Sequence, residues 1–522
     1  MRGKKDSVIL KKSVFEKGVL ILAKKLPLAL SSDIRGIAVA TADYAANLTP
    51  IEMQDIAAGL IQFLLKSESL PDKRARKLRV GVGRDSRISG PALKASLIAA
   101  LQEQGVDVID FDLATTPAMF MSTQFKQFDC DAGVMLTASH LPYYYNGIKI
   151  FTKNGGVEEE DIRYIMSHTK KRISDSTGNY QKADLISAYS IDLVEKIKHA
   201  TKKFGNKPLT GWHIIVDAGN GAGGFFAKKV LQVLGANTNG SQFLEPDGRF
   251  PNHIPNPDNK QAMVSIQNAV LTQKADLGVI FDTDVDRAAL VGPDGSVLNR
   301  NNLIALLSKI VLTQYPGATI VTNSPTSDHL KDFIVSQGGQ QVRYISGYRN
   351  VINKMIALNK EGIETQLAIE TSGHAAFKEN YNLDDGAYLV AKVLMILPQL
   401  KAQGQTINDL LHELKQPSET LEIRLKINEA DFKDYGQKII SELKSANFIG
   451  FKEDSENEEG VRMKLNEPYG SGWFLLRLSL HEPLLVLQLE NDEVGMIDKV
   501  LPVLREFFAT FSALELAPLD KK

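Results

Sequence analysis

Apolar and polar positions along this chain follow a layout that recurs. In "KLRVGVGRDSRISGPALKASLIAALQEQGVDVIDF" (77–111) a short apolar run meets a polar turn. Apolar residues at helical spacing follow, then a glycine and a second apolar run. "ATIVTNSPTSDHLKDFIVSQGGQQVRYI" (318–345) has the same layout, and "GWHIIVDAGNGAGGFFAKKVLQVLGA" (211–236) has it up to its closing glycine. The pattern predicts strand, helix, strand, with Gly105, Gly235 and Gly338 or Gly339 at helix C-termini, where a left-handed residue is favoured. Strand–helix–strand in one sheet implies parallel pairing with a right-handed crossover.

Behind each unit lies a further apolar strand that runs into a polar loop. These are "AGVMLTASH" (132–140), "ADLGVIFDTDVDR" (275–287) and "TQLAIETSGH" (365–374). In open α/β sheets ligands bind beyond the carboxyl ends of strands, so three similar domains are expected to offer one functional loop each. Beyond residue 411 the pattern changes to the strands "TLEIRLKI", "GVRMKL", "WFLLRLSL" and "LLVLQLE", with helices near 430–445 and 494–510. The expected fold class is α/β: three similar mixed-sheet α/β domains plus a smaller C-terminal α+β domain around a central cleft. The expected boundaries are 1–185 (1–30 an N-terminal extension), 186–295, 296–410 and 411–522, each soft by several residues.

Composition narrows the field modestly. With 43% hydrophobic and 24% charged residues over 522, the chain reads as globular, and its net charge of −1 gives no field to draw nucleic acid or an anionic membrane. A single cysteine, Cys130, excludes an intramolecular disulfide and a cysteine-built metal site. The apolar stretch "GVLILAKKLPLAL" is broken by Lys24 and Lys25 and is too short to span a bilayer. A cytoplasmic protein is expected, with a plastid location as the alternative if the N-terminus is a processed form. The oligomeric state is left open.

The chemistry concentrates in the strand-end loops. Asp282, Asp284 and Asp286 alternate directly after an apolar strand, and carboxylates that close repel one another unless a cation intervenes. An all-oxygen set suits Mg²⁺ or Mn²⁺. An EF-hand fails here, because Arg287 and Pro293 occupy the positions of its required glycine and glutamate. A solvated acidic turn is the simpler alternative. Arg287 beside the loop offers a fork for a neighbouring phosphate. In "WFLLRLSLHEP" Arg477, Ser479 and His481 share one strand face, which suits an anion clamp and suits a solvent-facing polar edge nearly as well. Ser139 lacks the surroundings of a nucleophile elbow. It is either a structural loop serine or, opposite Mg²⁺, a carrier of a phosphoryl group. Lys149 is either a surface residue or a proton acceptor or donor with a lowered pKa.

Two further stretches have plain readings. "VDAGNGAGG" places Gly219, Gly221 and Gly224 in a G-x-G-x-x-G spacing with Glu245 beyond, a dinucleotide-binding fingerprint, although a tight strand–helix turn accounts for it more simply. "KKFGNK" and "SENEEG" read as solvated loops, and Asp384-Asp385-Gly386 as a helix N-terminus.

Six motifs occur in order: "DIRG" (33–36), "GRDSR" (83–87), "TASHLPYYYNGIK" (137–149), "DTDVDR" (282–287), "ETSGH" (370–374) and "RLSLHEP" (477–483). In these the chain resembles the α-D-phosphohexomutases, over about residues 30 to 515. The resemblance implies a phosphorylated Ser139, Mg²⁺ held by Asp282, Asp284 and Asp286 with an oxygen from the phosphoserine, and Lys149 as general acid or base with His140 in the same loop. It places Arg287 in the catalytic loop and Arg35 along the cleft. Gly347, Arg349, Glu370, Ser372 and His374 fall among the sugar contacts, and Arg477, Ser479 and His481 in the phosphate-binding loop.

The implied reaction moves phosphate reversibly between C1 and C6 of a hexose phosphate, glucose or mannose. A hexose 1,6-bisphosphate serves as intermediate and activator. Departures from the family pattern stand at Thr283, Val285, Leu141, Leu480, His481 and "SGYRN". They leave phosphoglucosamine mutase, or a catalytically reduced sugar-phosphate-binding homologue, as alternatives.

Overall fold

The computed structural model describes residues 26–66, 76–479 and 482–520. Of the expected N-terminal extension, residues 1–25 lie outside the described residues, as do Leu480 and His481. The chain divides into two compact units, one of Met1–Leu185 with Asp247–Pro251, the other of Ile186–Pro246 with Asn252–Lys522.

In the first unit Arg79–Arg84 pairs in parallel with Asp107–Leu113 on one side and Ala132–Leu136 on the other. The sheet then turns antiparallel through Tyr145–Thr152 and Ile34–Ile37. The helices Pro50–Lys66 and Gly90–Glu103 bury Leu60, Leu64, Leu97 and Leu101 with Val80, Val82 and Val134 of the sheet in one core. This face gains most of its stability from removing apolar area from water, about 25 cal/mol per Å².

Among the described residues the second unit contains three sheets. Ile214–Asp217 runs parallel to Leu277–Phe281, which pairs antiparallel with Ala288–Val291. Thr319–Asn323 runs parallel to both Gln340–Tyr344 and Thr365–Ile369, and the latter pairs antiparallel with Ala375–Phe377. The last sheet is wholly antiparallel, in the order Glu419–Lys426, Leu484–Asn491, Gly472–Leu478, Val461–Leu465, Phe451–Glu453. The helices Phe432–Ser445 and Ile497–Phe508 share its core through Ile439, Leu443, Leu504 and Phe508. The fold is therefore three α/β domains with mixed sheets followed by a C-terminal sheet domain.

One device recurs in the three mixed sheets. A wholly buried strand, Ala132–Leu136, Leu277–Phe281 or Thr365–Ile369, leads into a polar loop, and the chain returns antiparallel beside it. The helix expected after Ile214–Asp217 is a π-helical segment, Phe226–Leu231. Gly105, Gly235 and Gly338 have the positive φ expected at the helix ends.

Candidate active site

The loop after Ala132–Leu136 is built around Ser139. Antiparallel register sets Lys149 opposite Met135 and Ile148 opposite Ile34, so the loop closes as a hairpin with Lys149 in its returning strand. A side chain at position 147 would stand 2.4 Å from the Ile34 carbonyl oxygen and 2.7 Å from that of Thr137, which explains the glycine. Ser139 takes a left-handed backbone, φ 51°, unusual for a residue with a side chain. Its N–H donates to Thr137 Oγ1 at 2.9 Å, and that hydroxyl donates to Asp85 Oδ2 at 2.7 Å.

Asp85 in turn receives the N–H and Nε–H of Arg87. Arg87 is 0% exposed, and its guanidinium donates to the carbonyl oxygens of Ser139, Leu141, Pro142 and Tyr145. Phe250 lies over the guanidinium at 5.3 Å. A charge this deep is tolerated only when its donors are matched, and the matching here fixes the serine loop. The motif "GRDSR" thus serves the loop, a role that no local pattern around residues 83–87 announces.

His140 Nδ1 lies 3.4 Å from Ser139 Oγ, and Lys149 is 4% exposed. Burial raises the Asp33 carboxyl, yet the Arg35 guanidinium, paired with it at 2.8 Å, and the Lys149 ammonium outweigh this and lower it. Arg35, Asp33 and Lys149 therefore share one electrostatic neighbourhood in the first unit.

In the second unit Asp282, Asp284 and Asp286 are 0%, 0% and 1% exposed, and one ligand atom from each lies within 4.8 Å of the others. Three carboxylates out of water at that spacing repel strongly, which is the donor chemistry a hard divalent cation satisfies. The residues fit such an ion. Val285 sits between them at φ 67°, a strained backbone for a β-branched residue. Its carbonyl is held by Gly386 N–H at 3.1 Å. Arg287 turns inward, donating to Asp282 Oδ2 through Nε and Nη2 at 3.2 Å and to Asn256 Oδ1 through Nη1. Among the contacts described, this fork braces the acidic loop.

The loop at 370–374 is stitched to this one. Arg287 and His374 form an antiparallel bridge, and Ala288 N–H donates to the Gly373 carbonyl. His374 Nδ1 lies 2.6 Å from Asp384 Oδ2 and 3.9 Å from Asp286 Oδ1, and its ring stacks on Tyr348. Burial alone would depress this imidazole, but Asp384 and Asp286 carry its pKa up to about 9. Glu370 is buried, which raises its carboxyl, and it accepts Gly347 N–H at 2.7 Å. Ser372 Oγ reaches Glu370 Oε2 at 3.5 Å. Asp385 caps its helix through Tyr388 N–H, as the acidic pair suggested.

Arg349 lies in the helix that opens after Gly347, and Arg477 in Gly472–Leu478, its side chain 18% exposed. Ser479 follows at the strand end, where its Oγ accepts Glu482 N–H. His481 lies outside the described residues.

The glycine fingerprint at 219–224 has a packing explanation. A Cβ at Gly221 would stand 2.7 Å from the Thr283 carbonyl oxygen, and one at Gly224 2.0 Å from that of Leu244. The chain packs against itself where a dinucleotide reading would put pyrophosphate.

Comparison with known proteins gives the family. Residues 29–175, 190–295 and 299–417 match the family models for phosphoglucomutase/phosphomannomutase α/β/α domains I, II and III. A phosphomannomutase/phosphoglucomutase of Pseudomonas putida is 31% identical over 82% of this chain and 86% of its own length. A phosphoglucomutase of Neisseria gonorrhoeae is 30% identical over 81% and 86%. A solved phosphoglucomutase/phosphomannomutase family protein of Burkholderia thailandensis superposes with a TM-score of 0.75 at 26% identity, covering 93% of this chain and 98% of that one. The chain belongs to the α-D-phosphohexomutases, the phosphoglucomutase/phosphomannomutase family.

Proposed function

We propose that the protein is a hexose-phosphate mutase that moves phosphate reversibly between C1 and C6 of glucose and/or mannose phosphates, with Ser139 as the phosphoryl carrier. The observation that carries this reading is the Ser139 loop itself: a buried serine held in a left-handed conformation by Thr137, Asp85 and Arg87, in a chain of this family.

In the proposed cycle the phosphoryl group on Ser139 passes to a free hydroxyl of the sugar phosphate. The O–P bond to serine breaks as the new O–P bond forms, and the hydroxyl proton passes to Lys149 or His140. The resulting hexose 1,6-bisphosphate turns over without full release. Its original phosphoryl group then returns to Ser139, and the proton goes back to the freed sugar oxygen. Asp282, Asp284 and Asp286, with an oxygen of the phosphoserine, would hold Mg²⁺. When bound, the ion supplies charge stabilisation for a transferring phosphoryl group. Arg35 would line the substrate site. Glu370, Ser372 and His374, with Gly347 and Arg349, would hold sugar hydroxyls. Arg477 and Ser479, with His481, would receive the phosphate that is not reacting.

Ser372, a small hydroxyl residue in "ETSGH", favours glucose and mannose over glucosamine phosphates in this reading. A panel assay with glucose, mannose and glucosamine phosphates tests it, with Ser139→Ala as the control. Turnover of glucose 1-phosphate or mannose 1-phosphate that falls by about 10³ or more in the variant is expected, since covalent transfer is lost. Equal rates in both proteins would remove Ser139 from the mechanism. Preference for glucosamine phosphate would overturn the substrate assignment.

A further inference from the structure

The acidic stretch "SENEEG" is not a solvated loop at its last carboxylate. Glu459 is buried, and three elements of the second unit converge on it. Its Oε2 accepts the Ser324 hydroxyl at the end of Thr319–Asn323. The same oxygen accepts Ser346 N–H at 3.2 Å and the Ser346 hydroxyl at 2.7 Å, immediately before Gly347. Its other oxygen, Oε1, faces Nη1 of Arg477 at 3.9 Å. Gly460, φ 59°, lets the chain turn there, because a Cβ would stand 2.1 Å from the Leu476 carbonyl oxygen. Arg462, fully buried against the Trp473 ring at 3.6 Å, donates to the Ser324 carbonyl and anchors the same junction.

Two carboxylates thus hold the turn at 346–347, Glu370 through Gly347 N–H and Glu459 through Ser346. Only Glu459 of the two also faces Arg477. Arg477 Nε is buried and has no hydrogen-bond partner among the described residues. Among the described residues Glu459 is the carboxylate that faces this guanidinium. The same carboxylate holds the backbone of Ser346.

We infer that Glu459 is a positioning residue for Arg477. It holds the arginine in register with the 346–347 turn, so that phosphate and sugar are gripped by one connected frame. This rests on the proposed role of Arg477 as a phosphate ligand. Glu459 does not touch the reacting atoms, so its effect belongs in substrate binding and not in the transfer step.

The glutamine variant separates charge from shape. In Glu459→Gln the amide oxygen still accepts the Ser324 and Ser346 donors, leaving the NH₂ group toward Arg477, where it cannot attract a cation. KM and kcat for glucose 1-phosphate and mannose 1-phosphate are measured for wild type, Glu459→Gln, Arg477→Ala and the double variant, with thermal unfolding of each as a check on folding. The expected result is a KM raised about fivefold or more in Glu459→Gln with kcat within about twofold, a larger rise in Arg477→Ala, and no further rise in the double variant. Unfolding of Glu459→Gln within about 2 °C of wild type accompanies it. An unchanged KM in Arg477→Ala would overturn the phosphate role of Arg477. A raised KM in Arg477→Ala, with no effect of Glu459→Gln or with effects that multiply in the double variant, would overturn the role of Glu459 alone.

Discussion

Thr137 shows how much a single hydroxyl carries in this protein. It accepts from Ser139 N–H and donates to Asp85, so it links the serine to the buried Asp85–Arg87 pair. Thr137→Val keeps the shape and removes both bonds. A loss of about 1–3 kcal/mol in unfolding free energy is expected from the stranded partners, with a kcat reduced more than KM, both readable from denaturation and steady-state kinetics on one preparation. His253 makes a second residue-scale case. Both its ring nitrogens face acceptors, Asp217 through Nε2 and the Ile254 carbonyl through Nδ1. Burial lowers its pKa, but the Asp217 carboxylate outweighs this and raises it above the ordinary histidine value. A folded-state pKa above the unfolded one stabilises fully below about pH 6.5 and is lost as pH rises through the folded value. Wild type should therefore lose more stability than His253→Gln between pH 6 and pH 9, measured by denaturant midpoints; parallel curves would contradict the pairing. Ser139 and the three aspartates could be read from the chain because each follows an apolar strand directly. Arg87 and Glu459 could not, because the carbonyls that Arg87 holds and the serine hydroxyls that Glu459 accepts lie far away in sequence.

At the scale of elements, the buried strand with its polar loop and antiparallel return does the positioning. The apolar runs were legible, since an uninterrupted five-residue run such as "LGVIF" between polar segments suits a doubly covered strand. The return strands were less so: Ala288–Val291 and Ala375–Phe377 are short and carry no turn signal of their own. The π-helical Phe226–Leu231 has the same periodicity problem, since apolar spacing alone does not distinguish it from an α-turn. The acidic loop gives an element-scale prediction. Without divalent cation its carboxylates repel, so in EDTA Asp284→Asn should match or exceed wild-type stability. Mg²⁺ at a hundred times its dissociation constant would stabilise wild type by about 2.7 kcal/mol and leave the variant nearly unmoved. Thermal unfolding with and without Mg²⁺ measures this, and equal shifts in both proteins would remove the loop as the metal site.

At the scale of the molecule, the serine loop belongs to one compact unit and the acidic, sugar and arginine elements to the other. The repeated layout made three α/β domains and a different C-terminal domain readable from hydrophobic pattern, because each core is built from runs local in sequence. The connections that depend on distant residues were not, as Asp247–Pro251 shows by packing with the first unit from within the second domain's sequence. Among the described residues no helix is long and apolar enough to cross a membrane. The central claim is that Ser139 carries the phosphoryl group, and intact-protein mass spectrometry with site mapping after exposure to glucose 1,6-bisphosphate and Mg²⁺ tests it most directly. A mass gain of one phosphoryl group, about 80 Da, mapped to Ser139 and absent from Ser139→Ala, is the predicted result; an unmodified Ser139 in protein that still isomerises hexose phosphate would contradict it.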